Sequence, residues 1–326
     1  MSSLQYGVGM FPTESMSRII HLSKQAEDLG YSHIWVGDSH LIWREAFVNM
    51  AAVALNTSKV IIGTGVTNPV TRHPSVLASG YATLDELAPG RFAVGIGLGD
   101  SSLETMGRKQ ARLAEFEAAV AQMRAVIEGG EAELESGSKI HLNFAQNRKI
   151  PFYAAASGPK MLELSGRIAD GVIILVGVDA GAIERAVERI AAGAESAGRK
   201  LSDIDLVLWV PCAVSEQPGA KDAVKAHVAR VIAHPLPFTL NEQEQKVLDD
   251  IHQAYNYYQH MNPLAAQARV IPDWLVDKFA VAGTPEECQA KVEELKQSAI
   301  NQVAIIPYNV GDADRGETLR LFAGAM

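Results

Sequence analysis

The sequence predicts an α/β fold, a (β/α)8 TIM barrel with insertions, and three observations carry that expectation. Short apolar runs ending in Gly, Asp, Ser or Pro recur along the chain. A segment of helical period follows each, and most of the runs lack the half-polar alternation of an antiparallel sheet. Strands buried on both faces read in this way. Eight runs qualify: Tyr6–Phe11, His33–Gly37, Val60–Val66, Phe92–Gly97, Phe152–Ala156, Val172–Gly177, Leu206–Val214 and Gln302–Pro307. A chain of 326 residues accommodates one such barrel, so residues 1–326 are expected to form a single domain.

The intervening segments carry helical stripes. Leu113, Phe116, Val120, Met123 and Ile127 recur every three or four residues and face a core. Ile183, Val187 and Ile190 point inward, while Glu184, Arg185, Glu188 and Arg189 face water. Two stretches break the rhythm. Glu131–Lys149 is a polar excursion after the fourth helix, and the segment 234–274, with Pro235, Pro237, Pro263 and Pro272, is a longer insertion and a lid candidate. Its Tyr255, Tyr257 and Tyr258 either cover a pocket or pack the insertion against the barrel.

An open doubly wound sheet is the competing architecture. Its signature would be a dinucleotide-binding glycine fingerprint, and Gly95-Ile96-Gly97-Leu98-Gly99-Asp100 matches it weakly. The third-glycine spacing fails, and the run sits at the fourth strand instead of the first.

Composition removes several function classes. With 48% hydrophobic and 21% charged residues the chain has the apolar surface for a packed core. A net charge of −9 argues against a polyanion-binding surface, so no nucleic-acid partner is expected. Cys212 and Cys288 form no CxxC pair, and no His-x-His follows the first strand, so no metal site is expected. Met1–Met10 does not read as a signal peptide and no apolar run is long enough to span a bilayer, which predicts a cytoplasmic protein with no membrane partner.

Four segments at strand ends carry chemistry. Gly37-Asp38-Ser39-His40 closes strand two with two groups able to hold or move a proton, although Asp38 as a helix cap and His40 as a solvated loop residue explain them as well. Gly63-Thr64-Gly65-Val66-Thr67-Asn68-Pro69 closes strand three, where the glycines allow a flat ligand near the backbone or form a tight turn. Arg72 and His73 follow, as groups to meet a carboxylate or phosphate. Gly97-Leu98-Gly99-Asp100 closes strand four with accessible backbone N–H groups and a carboxylate. Ala154-Ala155-Ala156-Ser157-Gly158-Pro159-Lys160 joins a strand of small residues to a helix start, either a phosphate cradle or an ordinary N-cap with Pro in the first turn.

As a set these motifs resemble the bacterial luciferase-like flavin and deazaflavin oxidoreductases, nearest the branch of F-420-dependent methylene-tetrahydromethanopterin reductases and deazaflavin-dependent glucose-6-phosphate dehydrogenases. The likeness is strongest over Ile34–His40, Ile62–Pro74, Gly90–Gly107 and Tyr153–Gly171, and Gly283-Thr284-Pro285-Glu286-Glu287 also fits. It implies a flat ring in the barrel mouth beside a non-prolyl cis peptide at Gly65-Val66. It further implies a cofactor site of Asp38, Thr64, Gly65, Val66, Gly97, Leu98, Gly99, Ala156, Ser157, Gly158, Pro159, Lys160 and Gly177. Lys160, Arg108 and Lys109 are candidate partners for the acidic tail of a deazaflavin.

The activity implied by the resemblance is hydride transfer between coenzyme F-420, an 8-hydroxy-5-deazaflavin, and a small-molecule substrate, with Asp100 or His40 handling the accompanying proton. In the sugar-phosphate branch the active-site His directly follows the Asp, whereas here Ser39 stands between Asp38 and His40. An FMN-dependent monooxygenase using oxygen is the alternative, and a non-catalytic flavin-binding barrel is a third reading. Trp43, Tyr255 and Trp274 are candidate substrate walls, and the resemblance implies a homodimer.

Overall fold

Apolar runs buried on both faces must pair edge to edge until no edge is left, and here they close a barrel. The computed structural model describes residues 4–134, 136–144, 149–254, 262 and 264–326. The first half runs β1 (Gln5–Met10), α1 (Met16–Asp28), β2 (His33–Val36), α2 (Ala46–Asn56), β3 (Ile61–Thr64), α3 (Pro74–Leu87), β4 (Phe92–Ile96), α4 (Ser101–Glu104) and α5 (Leu113–Ile127). A small antiparallel pair, β5 (Ala132–Glu133) and β6 (Lys139–Ile140), fills the polar excursion. Then come β7 (Phe152–Ala156), α6 (Pro159–Ile168), β8 (Gly171–Ile174), α7 (Ala180–Ser196), β9 (Asp205–Val214) and α8 (Ala220–Ala233). The long insertion holds α9 (Glu242–Ala254) and the start of α10 (Asp273–Phe279), and β10 (Val281–Gly283), α11 (Pro285–Leu295), β11 (Gln302–Pro307) and α12 (Arg315–Ala323) complete the chain.

The barrel order is β1-β2-β3-β4-β7-β8-β9-β11, parallel throughout, and β11 pairs again with β1. Each of the eight expected runs supplies one of these strands, and the closing pairs exclude the open doubly wound sheet. Short β10 pairs outside the ring, on the end of β9.

Two apolar layers hold the ring. Outward side chains such as Val8, Ile34, Ile62 and Val94 meet the helices, including the stripe of Phe116, Val120, Met123 and Ile127 on α5. Inward residues, Trp35, Tyr153, Ile173, Val207, Trp209 and Ile306 among them, fill the barrel itself. The two tryptophans fit only because the strands beside them carry glycine. A Cβ on Gly63 would stand 2.5 Å from the Trp35 ring, and one on Gly9 would stand 2.9 Å from the Trp209 ring.

The floor of the barrel contains a polar relay. Trp35 Nε1 donates to Gln302 Oε1 at 2.9 Å, which orients the amide so that Gln302 Nε2 donates to His33 Nδ1 at 2.9 Å. Burial pushes the His33 pKa down from 6.5 to about 4, so the ring is neutral in the fold. The unfolded chain takes up that proton below its ordinary pKa, and the folded chain does so only near the lowered one. This contribution to stability is therefore whole above pH 6.5 and lost as pH falls toward 4. Urea unfolding of His33→Asn should show a loss between those pH values that is smaller than wild type by about 3 kcal/mol. Parallel pH profiles for the two proteins would refute the assignment.

Candidate active site

The carboxyl ends of the strands open into one cavity of about 610 Å³. Trp209, Leu175 and the stacked pair Phe11 and Trp43, with ring centres 4.4 Å apart, line its apolar part.

Strand β3 leaves the barrel through a cis peptide between Gly65 and Val66, and both residues line the cavity. The chain then returns to β4: Thr67 N donates to Gly95 O at 3.0 Å and Gly97 N to Thr67 O at 2.9 Å. Glycine at 95 is a requirement of this approach, because a Cβ there would overlap the Thr64 carbonyl. Thr64 itself turns into the core, where its hydroxyl lies 2.6 Å from that of Tyr81 and donates to Gly95 O.

Asp38, at the end of β2, is buried in the cavity wall. It does not cap α2, which Glu45 caps instead. Its carboxylate accepts from Thr67 Oγ1 at 2.7 Å, Arg72 Nε at 3.2 Å and Arg72 Nη2 at 3.1 Å. Arg72 also reaches Glu45 at 2.6 Å, so the carboxylates it meets belong to the protein. His73 caps α3 and is exposed. Ser39 to Ser101, 2.6 Å, and Asn68 to Ser102, 3.1 Å, stitch the loops after β2, β3 and β4 into one wall.

Gly97, Leu98, Gly99 and Asp100 line the next part of that wall. Gly99 has φ +99°, and the Leu103 side chain occupies the place a Cβ would take. Beyond them Ala156, Ser157, Gly158, Pro159 and Lys160 form the start of α6. Gly158 is the N-cap, Pro159 opens the first turn, and no side chain caps the helix. An uncapped helix start offers unpaired N–H donors and partial positive charge, and Lys160 adds a full one.

Asp100 is one half of an ion pair. Arg230 of α8 grips it through two nitrogens, Nε donating to Oδ2 at 3.0 Å and Nη2 to Oδ1. His234 Nε2 lies 3.8 Å from the same carboxylate. His227, one turn earlier on α8, is fully buried in the cavity wall, and its Nδ1 is 3.2 Å from the Tyr308 hydroxyl. Sequence reasoning passed over His227, Arg230, Val231 and His234, although their spacing of three, one and three puts all four on one helix face. Three polar residues on the inward stripe of a barrel helix are the signal that would have found them.

Three residues of the expected site lie elsewhere. His40 is exposed and outside the cavity lining, because the chain after Ser39 turns outward. Thr64 is in the core, as described. Gly177, at φ +86°, packs against the end of α10, where a Cβ would meet the Lys278 carbonyl at 2.5 Å. Trp43 is a cavity wall, whereas Trp274 packs in the cluster around α8, and Tyr255 lies outside the described residues. Arg108 and Lys109 are exposed beyond the cavity. Among the described residues no group of His, Cys, Asp and Glu is placed to hold a metal, and no helix is long and apolar enough to cross a membrane.

The luciferase-like monooxygenase profile matches residues 2–302. The chain belongs to this family. The 5,10-methylenetetrahydromethanopterin reductase of Methanopyrus kandleri is 30% identical over 330 residues, covering 94% of this chain and 93% of that protein. The same enzyme of Methanolobus tindarius is 29% identical over 309 residues, covering 92% and 93%. Among solved structures of the family fold, the coenzyme F-420 dependent tetrahydromethanopterin reductase of Methanopyrus kandleri superposes with a TM-score of 0.80 at 26% identity, covering 100% of this chain and 99% of that one. An F-420-dependent secondary alcohol dehydrogenase, with a TM-score of 0.77 at 19% identity, shares the barrel.

Proposed function

We propose that this chain is an oxidoreductase that binds coenzyme F-420 and works on a small organic substrate in the same cavity. One observation carries the reading. The slot beside Gly65-Val66 and the uncapped start of α6 open into a single cavity, in a chain whose reductase relatives align over nearly its whole length. The donor set fits such a cofactor: small residues Gly97 and Ala155 leave room for a flat ring, and α6 with Lys160 suits its phosphate. Asp38, Gly65, Val66, Leu98, Gly99, Ala156, Ser157, Gly158 and Pro159 complete the proposed cofactor contacts. When bound, a deazaflavin supplies hydride-transfer chemistry.

The protein's part is to position, to exclude water and to handle a proton. Asp38, locked by Arg72 and Thr67, holds a fixed carboxylate against the cavity. For the proton we infer His227 in place of His40, because its ring is in the cavity wall. The Tyr308 hydroxyl, 3.2 Å from Nδ1, helps to orient that ring in the cavity wall, where an imidazole is suited to exchange a proton with a substrate. Asp100 serves as the counter-charge of Arg230. We place the protein in the cytoplasm and as a homodimer. Val48 and Leu55 of α2, with Val76 and Leu87 of α3, are exposed apolar residues on neighbouring helices, and a second copy of the chain would cover them.

Titrating the protein with each cofactor tests the central claim: coenzyme F-420 should bind at least about tenfold more tightly than FMN. Tighter FMN binding accompanied by oxygen consumption would establish the monooxygenase reading instead. His227→Phe should lower kcat by about a hundredfold or more while cofactor affinity is unchanged, and unaltered turnover would remove His227 from the chemistry. Light scattering should give the mass of two chains for wild type and of one for Leu55→Glu; a monomeric wild type ends the dimer proposal.

A further inference from the structure

We propose that the substrate half of this cavity selects an uncharged, flat organic compound. The inference deepens the reading above and rests on it for which end of the cavity is which. Phe11, stacked on Trp43 and with its ring centre 6.3 Å from that of Trp209, builds an aromatic wall in the cavity, and Val231 of α8 adds a further apolar lining residue. Two parallel aromatic planes, Phe11 and Trp43 at an interplanar angle of 9°, favour a planar guest that continues the stack.

The charges decide the rest. Four side chains with a full charge line the cavity among the described residues: Asp38, Asp100, Lys160 and Arg230. Asp38 is matched by Arg72 and Asp100 by Arg230. Lys160 stands apart, at the start of α6, where the cofactor's anionic portion belongs. The fixed charges of Asp100 and Arg230 therefore cancel, with His234 3.8 Å from the same carboxylate, and the compartment offers no unmatched permanent charge among the described residues. An ionic substrate entering it would lose its hydration and gain no counter-charge, a cost a neutral compound does not bear. His227 supplies the polar contact that orients such a guest.

The test uses the cofactor-free chain and three probes of one shape: benzyl alcohol, benzoate and benzylammonium. Affinities are read from the shifts of the indole N–H signals of Trp43 and Trp209, with Trp274, outside the cavity, as the reference. Wild type should bind benzyl alcohol at least about tenfold more tightly than either ion. Asp100→Asn removes the negative charge that balances Arg230 and should raise benzoate affinity by about tenfold, with benzyl alcohol changed less than about threefold. Arg230→Gln should act in the opposite sense and favour benzylammonium.

The inference is overturned if wild type accepts either ion as readily as the alcohol, if benzyl alcohol fails to move the Trp43 and Trp209 signals, or if the two variants leave the ranking unchanged. Coenzyme F-420 binding, measured separately by absorbance, distinguishes the two failures. Discrimination without cofactor binding sinks the cofactor reading alone, and cofactor binding without discrimination sinks this one.

Discussion

The volume inside the ring is the constraint on which the rest of the molecule depends. Eight strands enclose a space that side chains must fill, and this chain fills its lower part with Trp35, Tyr153 and Trp209. Such large rings are admitted only where a neighbouring strand contributes none, which is why Gly63 faces Trp35 and Gly9 faces Trp209. The upper part is left open because Gly65 follows β3, Gly97 follows β4 and Ala155 stands one residue before the end of β7. One distribution of large and small residues thus produces a solid floor and a cavity directly above it. Trp209 belongs to both, as core below and as ligand wall above.

A second constraint operates at the rim. Buried charges cost several kcal/mol unless they are paired and hydrogen-bonded, and the buried Asp38 and Arg230 of the cavity wall meet that condition. Asp38 draws Thr67 and Arg72 toward β2, so the loops after β2 and β3 adopt one arrangement. Arg230 draws Asp100 toward α8 and ties the loop after β4 to the helix after β9. The same contacts that satisfy the charges fix the walls, and the electrostatic balance of the site follows from its mechanical stability.

The ring was legible in the sequence because strands buried on both faces leave continuous apolar runs, and all eight could be marked to within a few residues. The strand-end glycines were legible for a related reason: a close backbone approach excludes every other residue, as the Thr64 carbonyl does at Gly95. Thr64 and Gly177 show the limit of that logic. Both sit where a ligand-contacting residue would be expected, yet β3 turns Thr64 toward Tyr81 and the backbone at Gly177 meets α10. A strand alternates faces with each residue, so proximity in sequence to a site residue is no guide to direction.

Asp100 illustrates what sequence position hides. Read alone, a carboxylate at a strand end is a proton-transfer group, and only the fold reveals that its partner stands 130 residues away. The partner was nevertheless open to inference from the phase of α8. His227, Arg230 and His234 interrupt a face on which Val224, Val228 and Val231 are buried, and a helix packed on a barrel does not bury cationic or polar groups there without an acceptor opposite. An inward-facing arginine therefore implies a carboxylate at the adjoining strand ends, and among the described residues Asp38 and Asp100 are the two that line the cavity. Asp38 already has Arg72, so Arg230 falls to Asp100. Charge pairing assigns the contact that sequence distance conceals.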